Sequence, residues 1–197
     1  GPMARTAEDA AMMLDAMAGY SRMIPNSVSA PWASALELVR ARDNAKGLRL
    51  AYAPDIAAIG VDPELEGICR TAAFGLAGDC AVVEEVDFDL SDARDSYLTL
   101  RGEWMVGMQY CRLDNLDDLG KNLAGNVRSG LDISMCELAA AEDMRTRVWH
   151  RYRKLFENYD ALLMPMSPVS QFPVKKNFPD EIGGRKQENY VDWIAGA

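Results

Sequence analysis

The side chains able to do acid–base or nucleophilic chemistry in this chain are few and badly placed for it. The one histidine, His150, lies in Trp149-His150-Arg151, with Arg145, Arg147, Arg153 and Lys154 close in sequence. A Ser-His-Asp triad would need that imidazole as its base. The surrounding cations oppose its taking a proton, and no serine stands in a GxSxG turn. His150 therefore reads as helix surface or packing. The ten serines include no adjacent pair. A lysine can activate a serine in place of histidine. Yet Lys46, Lys121, Lys154, Lys175, Lys176 and Lys186 all lie in stretches that offer no desolvated pocket to lower an amine pKa. The carboxylate pairs Glu84-Glu85 and Asp117-Asp118 are chain neighbours, so they point to different faces and cannot share a proton. Cys69, Cys80, Cys111 and Cys136 form no CxxC or CxxH pair, which argues against zinc. Cys69 and Cys136 fall in apolar stretches, where the expectation is a small packed hydrophobe with a reduced thiol. There is no phosphate-cradling glycine loop and no HExxH. These residues alone predict no catalytic centre, no metal and no cofactor.

Composition narrows the partners. The 197 residues carry a net charge of −9, with 49% hydrophobic and 26% charged residues, a globular balance. An acidic chain lacks the cationic patch that nucleic acid or an anionic membrane needs, so the expected partner is a small molecule or a protein. No apolar run of about 18 residues is present to span a membrane, and the first residues have no apolar signal segment. The expected location is cytoplasmic.

The elements follow from local signals. Thr6 caps a first helix whose Ala10, Met13, Leu14 and Met17 share one face, expected to be core; Gly19 ends it. Residues 20–34 read as loop, and 34–43 as a short helix. Leu48 to Ala53 reads as a strand between Gly47 and Pro54. Asp62-Pro63-Glu64 opens the next helix, which runs to about Gly78, and residues 81–86 read as a second strand. Strand, helix and strand in this spacing make a βαβ unit with parallel strands. Residues 91–125 read as helical with a break at Gly102 or Gly107, and the three glycines of 120–133 suggest loop. Ser134-Met135-Cys136-Glu137 is a capping box opening the longest helix, to about Asn158. Residues 160–164 read as a short buried strand, and 165–185, with four prolines, as an irregular loop. Asn189 to Ile194 would begin another helix.

Three segments, in order, resemble one known family. Gly1-Pro2-Met3-Ala4-Arg5-Thr6, continuing through Asp9-Ala10-Ala11 to Leu14, resembles the G-P-x-A-R-[TS]-x-x-D-A-A-x-x-L stretch of amidase-signature enzymes. Lys46-Gly47-Leu48-Arg49-Leu50-Ala51-Tyr52, then Asp62-Pro63-Glu64, resembles the family's strand-to-helix unit. Phe156 to Pro165, with Tyr159-Asp160-Ala161-Leu162-Leu163 inside it and Ser167-Pro168 after it, resembles the family's F-x-x-y-D-a-l-l-x-P-x-x-P stretch.

The resemblance implies an α/β fold: part of an α/β/α amidase-signature domain with a mixed sheet, one βαβ unit and several helices, residues 1–197 forming a single partial domain. It implies hydrolysis of carboxylic amides by a Ser-Ser-Lys mechanism without metal. The family's serines and lysine precede the G-P-x-A-R stretch, so they are expected upstream of this chain, and the chain alone is expected to be inactive. It further implies that this half lines the acyl pocket. Ligand sites cluster beyond strand ends, which makes Met164, Pro165, Met166 and Ser167 the substrate-pocket candidates, with Tyr97 and Trp104 behind them. Arg5 reads as a buried or half-buried donor. Two other readings stand beside this one: a glutamyl-tRNA amidotransferase A-subunit-like protein, and a non-catalytic fragment or interaction module. The expected partners are a small-molecule amide and a missing N-terminal half or a second copy of the chain.

Overall fold

The structure is a computed structural model that describes residues 1–41, 46–80, 82–187 and 189–194. The chain divides into two compact units, Gly1–Lys46 and Gly47–Ala197.

The first unit pairs α1 (Ala7–Met17) with α2 (Ala35–Ala41). Thr6 Oγ1 accepts the Asp9 N–H at 3.1 Å, as the cap pattern requires. The start of α2 is held from a distance. The Asp15 carboxylate accepts the N–H groups of Ala35 and Leu36 at 2.6 and 3.1 Å and the Ser34 hydroxyl at 2.9 Å. These bonds occupy amide donors that a helix start leaves open, and they hold the Asp15 carboxyl below its usual range. The methionine face is not core: Met13 and Met17 are exposed, and the inward residues are Ala10, Ala11, Leu14 and Ala18. Small side chains let the helices approach, so the stripe faces out. Arg5 is exposed as well, which corrects its reading as a buried donor. The end of the expected 34–43 helix lies outside the described residues.

The second unit is built on a parallel sheet, order β2-β1-β3, with β1 (Arg49–Tyr52), β2 (Val82–Glu85) and β3 (Ala161–Leu163). Leu50, Ala51 and Tyr52 are all buried, because a central parallel strand is covered on both faces. Residue 81, expected at the start of β2, lies outside the described residues. Antiparallel pairing occurs in a separate ribbon, β4 (Glu181–Ile182) with β5 (Arg185–Lys186), inside the stretch expected to be irregular. Gly183 and Gly184, at φ +52° and +82°, form its turn, a backbone that L side chains rarely adopt.

The βαβ unit is α3 (Pro63–Gly75), capped by Asp62, between β1 and β2. Arg70 ties it down, bonding Glu66 at 2.8 Å and forking onto Glu85 at 2.6 and 2.7 Å. The buried Tyr52 hydroxyl is pushed up to about 12, first by burial and then by Glu66.

Three helices follow: α4 (Arg94–Met108), α5 (Lys121–Leu131) and α6 (Met135–Leu155), the last with a complete capping box at Ser134 and Glu137. The expected loop at 120–133 is the helix α5. Burial of Ala124 and Val127 outweighs the low helix propensity of its glycines. Nor is Gly102 a break. It is buried where α4 crosses α5, and a Cβ on Gly130 would lie 2.3 Å from Gly102 O. The helical run instead breaks at Gln109 and continues as 3-10 turns over Tyr110–Asp118. Residues Asp192–Ile194 form one 3-10 turn.

Candidate functional site

The sheet's carboxyl ends open onto a cavity of about 280 Å³. Ile56 and Ile59 come from the segment after β1, Leu90 from the segment after β2, and Met164 from the end of β3; α4 adds Tyr97 and Leu100, and α6 adds Val148 and Tyr152. A site beyond the carboxyl ends of parallel strands is where open α/β sheets place ligands.

Its supports are specific. Leu90 N–H donates to Ile56 O at 2.7 Å, joining the two strand-end segments. Tyr152 packs on Phe88 with centroids 4.9 Å apart and on Phe156 at 6.1 Å, and burial pushes its hydroxyl pKa up. Arg151 forks onto Asp92, both bonds 2.6 Å, and reaches Asp89 O at 3.2 Å, clamping α6 to the segment that leads into α4. That guanidinium holds the Asp92 carboxyl below its usual range. Ala58 stands between Ala57 and Ile59, both in the wall, at φ +53°, an αL backbone rarely held by a residue other than Gly, Asn or Asp. Asp55 holds that turn by accepting the N–H groups of Ile59 and Gly60 at 3.1 and 2.8 Å, and Arg185 donates to Ala58 O.

Of the six expected pocket residues, the structure brings Met164 and Tyr97 together in this cavity. It does not bring the other four to its wall. Pro165 is buried beside Met164, while Met166 and Trp104 are exposed. Ser167 Oγ caps its own turn, donating to Val169 O at 2.8 Å. The wall residues from α6 and from 56–59 escaped sequence reasoning, since each reads there as ordinary packing. His150 is exposed on α6, as expected of helix surface. Cys69 and Cys80 are half-buried and Cys111 and Cys136 exposed, all four free; Cys136 is therefore not the packed hydrophobe expected. Among the described residues, no group of three or more His, Cys, Asp or Glu could hold a metal, and no helix is long and apolar enough to cross a membrane.

Comparison with known proteins places this architecture. The chain is 27% identical over 205 residues to an acylamidase of Rhodococcus erythropolis, covering 98% of this chain and 41% of that protein. It is 26% identical over 206 residues to the glutamyl-tRNA(Gln) amidotransferase A-subunit of Bacillus cytotoxicus, covering 91% and 42%. Among solved structures, a bacterial aryl acylamidase of the amidase-signature enzymes superposes with a TM-score of 0.80 at 20% identity, covering 96% of this chain and 41% of that one. A 6-aminohexanoate cyclic dimer hydrolase complexed with substrate gives 0.74 at 18% identity, covering 98% and 43%. The chain thus spans about two fifths of the length of the relatives it matches. A family model described as Amidase matches residues 1–196, and the chain belongs to that family.

Proposed function

We propose that this chain forms the acyl-pocket wall of an enzyme that hydrolyses the C–N bond of carboxylic amides. The Ser-Ser-Lys chemistry implied by the family would be carried by residues outside these 197, so the chain alone is inactive. Both compact units belong, in this reading, to one amidase-signature domain, working in the cytoplasm without cofactor or metal. The observation that carries the proposal is the cavity beyond the strand ends, where Met164 and Tyr97 meet. Ile56, Ile59, Leu90, Leu100 and Val148 make the wall mostly apolar, and the two arginines that also line it, Arg94 and Arg145, are paired with Asp95 and Glu142, so it suits an apolar acyl or aryl group better than the polar side chain of glutamine. That favours a small apolar amide over the amidotransferase reading.

The test is reconstitution with a separately made polypeptide carrying the family's serine and lysine elements. The expected outcome is hydrolysis of apolar anilides by the mixture and none by the chain alone. Met164→Asp should lower kcat/KM for an apolar anilide about 100-fold, because a carboxylate in that wall must be desolvated whenever an apolar group binds. Turnover by the isolated chain, or glutamine hydrolysis without anilide hydrolysis, would refute the reading. A chain that only self-associates and never engages the second polypeptide would favour the non-catalytic alternative.

A further inference from the structure

One wall of the strand-end cavity is a turn, Ile56, Ala57 and Ile59 in the segment after β1. Leu90 ties its start, at Ile56 O, to the segment after β2. Asp55 closes the turn on itself through the N–H groups of Ile59 and Gly60, which fixes its shape. Its far side rests on the β4–β5 ribbon. Arg185 Nη1 donates to Ala58 O, and Arg185 Cδ lies 3.5 Å from the point where a Cβ on Gly60 would stand. That same Cβ would lie 2.7 Å from Ile182 O. A Cβ on Gly183 would lie 2.7 Å from Val61 O and 3.2 Å from Val61 N. Turn and ribbon thus meet backbone to backbone at two places. Backbone atoms in close contact cannot rotate away, so a shift of the ribbon becomes a shift of the wall.

The ribbon is itself anchored. Ile182 is 1% exposed. The buried Gln187 donates its N–H to Asp180 O at 2.9 Å and its Nε2–H to Arg185 O at 3.0 Å. Two short strands alone are marginal in water, so these ties are what make the ribbon a firm support. We propose that the β4–β5 ribbon positions the Ala57–Ile59 wall, with Arg185 as the positioning residue, and so sets how large an apolar group the cavity accepts. That the occupant is the apolar part of an amide rests on the function proposed above. The positioning needs neither serine nor lysine, so binding tests it apart from hydrolysis.

The experiment measures binding of acetanilide and hexananilide to the 197-residue chain, followed by the methyl resonances of Ile59 and Met164. Both anilides should saturate and move both methyls. Arg185→Met keeps an unbranched stem and removes the donors. It should release the wall and raise the affinity for hexananilide over acetanilide at least fivefold, and Arg185→Lys, which keeps a donor, should hold that ratio within twofold of wild type. Gly183→Ala should change the ratio at least threefold by driving a methyl onto Val61. Gly184→Ala is its control: both glycines have left-handed backbones, at φ +52° and +82°, but a Cβ on Gly184 meets nothing within 4 Å. Its ratio should stay within twofold. Arg185 is exposed, so its variants are expected to fold and decide the test if Gly183→Ala does not. Absence of saturation by either anilide, a ratio within twofold of wild type in Arg185→Met, or a Gly184→Ala effect as large as that of Gly183→Ala would each overturn the proposal. A variant that weakens both anilides alike leaves the ratio unchanged and counts against it, since that is what general loosening would do. Failure of the reconstituted enzyme to hydrolyse either anilide would sink the proposed function and leave this binding result as it stands.

Discussion

Two cavities are walled in part by α4, the strand-end cavity and one of about 440 Å³ between α4, α5 and the segment around Tyr190, and they are built by opposite means. The strand-end cavity draws mostly apolar side chains from many elements, and its charges are paired: Arg94 and Arg145 in the wall with Asp95 and Glu142, and Arg151 beside it with Asp92. Such a wall is rigid but undemanding. It accepts apolar groups of several shapes, and one methylene more or less changes binding by only about 1–3 kcal/mol. The second cavity draws more polar side chains, among them Arg101, Asn122 and Asn126, from two helices and the segment around Tyr190. A wall of that kind asks its occupant for matching polar groups, because a polar group buried without a partner costs free energy. One helix therefore supports a tolerant pocket on one side and an exacting one on the other.

The largest test of this contrast is at the α4–α5 crossing. A Cβ on Gly130 would lie 2.3 Å from the Gly102 carbonyl oxygen and 2.7 Å from its carbon, both backbone atoms that cannot rotate away. Gly130→Val should destabilise by about 3 kcal/mol, the upper part of the usual range for overpacking. Urea denaturation measures it. A cost under about 0.5 kcal/mol would mean the helices separate freely there, and the exacting cavity would lose its rigid frame.

A smaller effect is expected on the tolerant side. Tyr152→Ala removes a ring packed between Phe88 and Phe156. The ring is only half-buried, so the loss should be about 2 kcal/mol, below the cost of a fully buried aromatic. It is read as a fall in the urea midpoint at constant slope. A loss under about 0.5 kcal/mol would show that the aromatic cluster adds little to the tolerant wall.

These contacts also mark where the sequence stopped being legible. The βαβ unit, the Ser134 capping box and the strand ending at Leu163 were readable because each rests on residues a few positions apart. The family was readable from three short segments. Helix α5 was not, because its glycines argue locally for loop and only burial of Ala124 and Val127 against neighbouring elements reverses that. The Asp15 cap on α2 and the Arg151–Asp92 fork span 20 and 59 positions, and no local spacing rule reports such a pair. Of the six pocket candidates, Met164, placed after a strand, and Tyr97, placed on a helix, line the strand-end cavity. Ile56, Val148 and Tyr152 carry no signal that separates a cavity wall from a core.

Acid should act on the tethers before it acts on either cavity. Asp15, Glu85 and Asp92 all titrate below their usual ranges: Asp15 through the amides of α2, Glu85 through Arg70, Asp92 through Arg151. A carboxylate whose folded pKa is depressed adds stability above its unfolded pKa, and that stability is lost as pH falls through the folded value. The thermal midpoint should therefore hold steady from neutral pH down to about 5 and fall below about pH 4. Asp92→Asn should flatten part of that fall by removing one of the titrating groups. An acid profile identical to wild type would show that the α6 clamp contributes nothing measurable, as exposed ion pairs sometimes do.

The smallest effect separates backbone strain from packing. Ala58 occupies αL at φ +53° in the turn that carries Ile59 into the tolerant cavity. An L residue there costs roughly 1–2 kcal/mol that glycine does not incur. Glycine, in turn, loses more chain entropy on folding, by about 0.5–1 kcal/mol. The first effect is the larger, so Ala58→Gly should stabilise the chain by about 0.5 kcal/mol, read as a rise in the urea midpoint at constant slope. Asp55 and Arg185 bond backbone groups of this turn, not the Ala58 side chain, so they remain in place. The cavity wall should keep its shape. A destabilised glycine variant would mean that the Ala58 methyl packs usefully and that the turn is held by contact, with Asp55 and Arg185 only accompanying it.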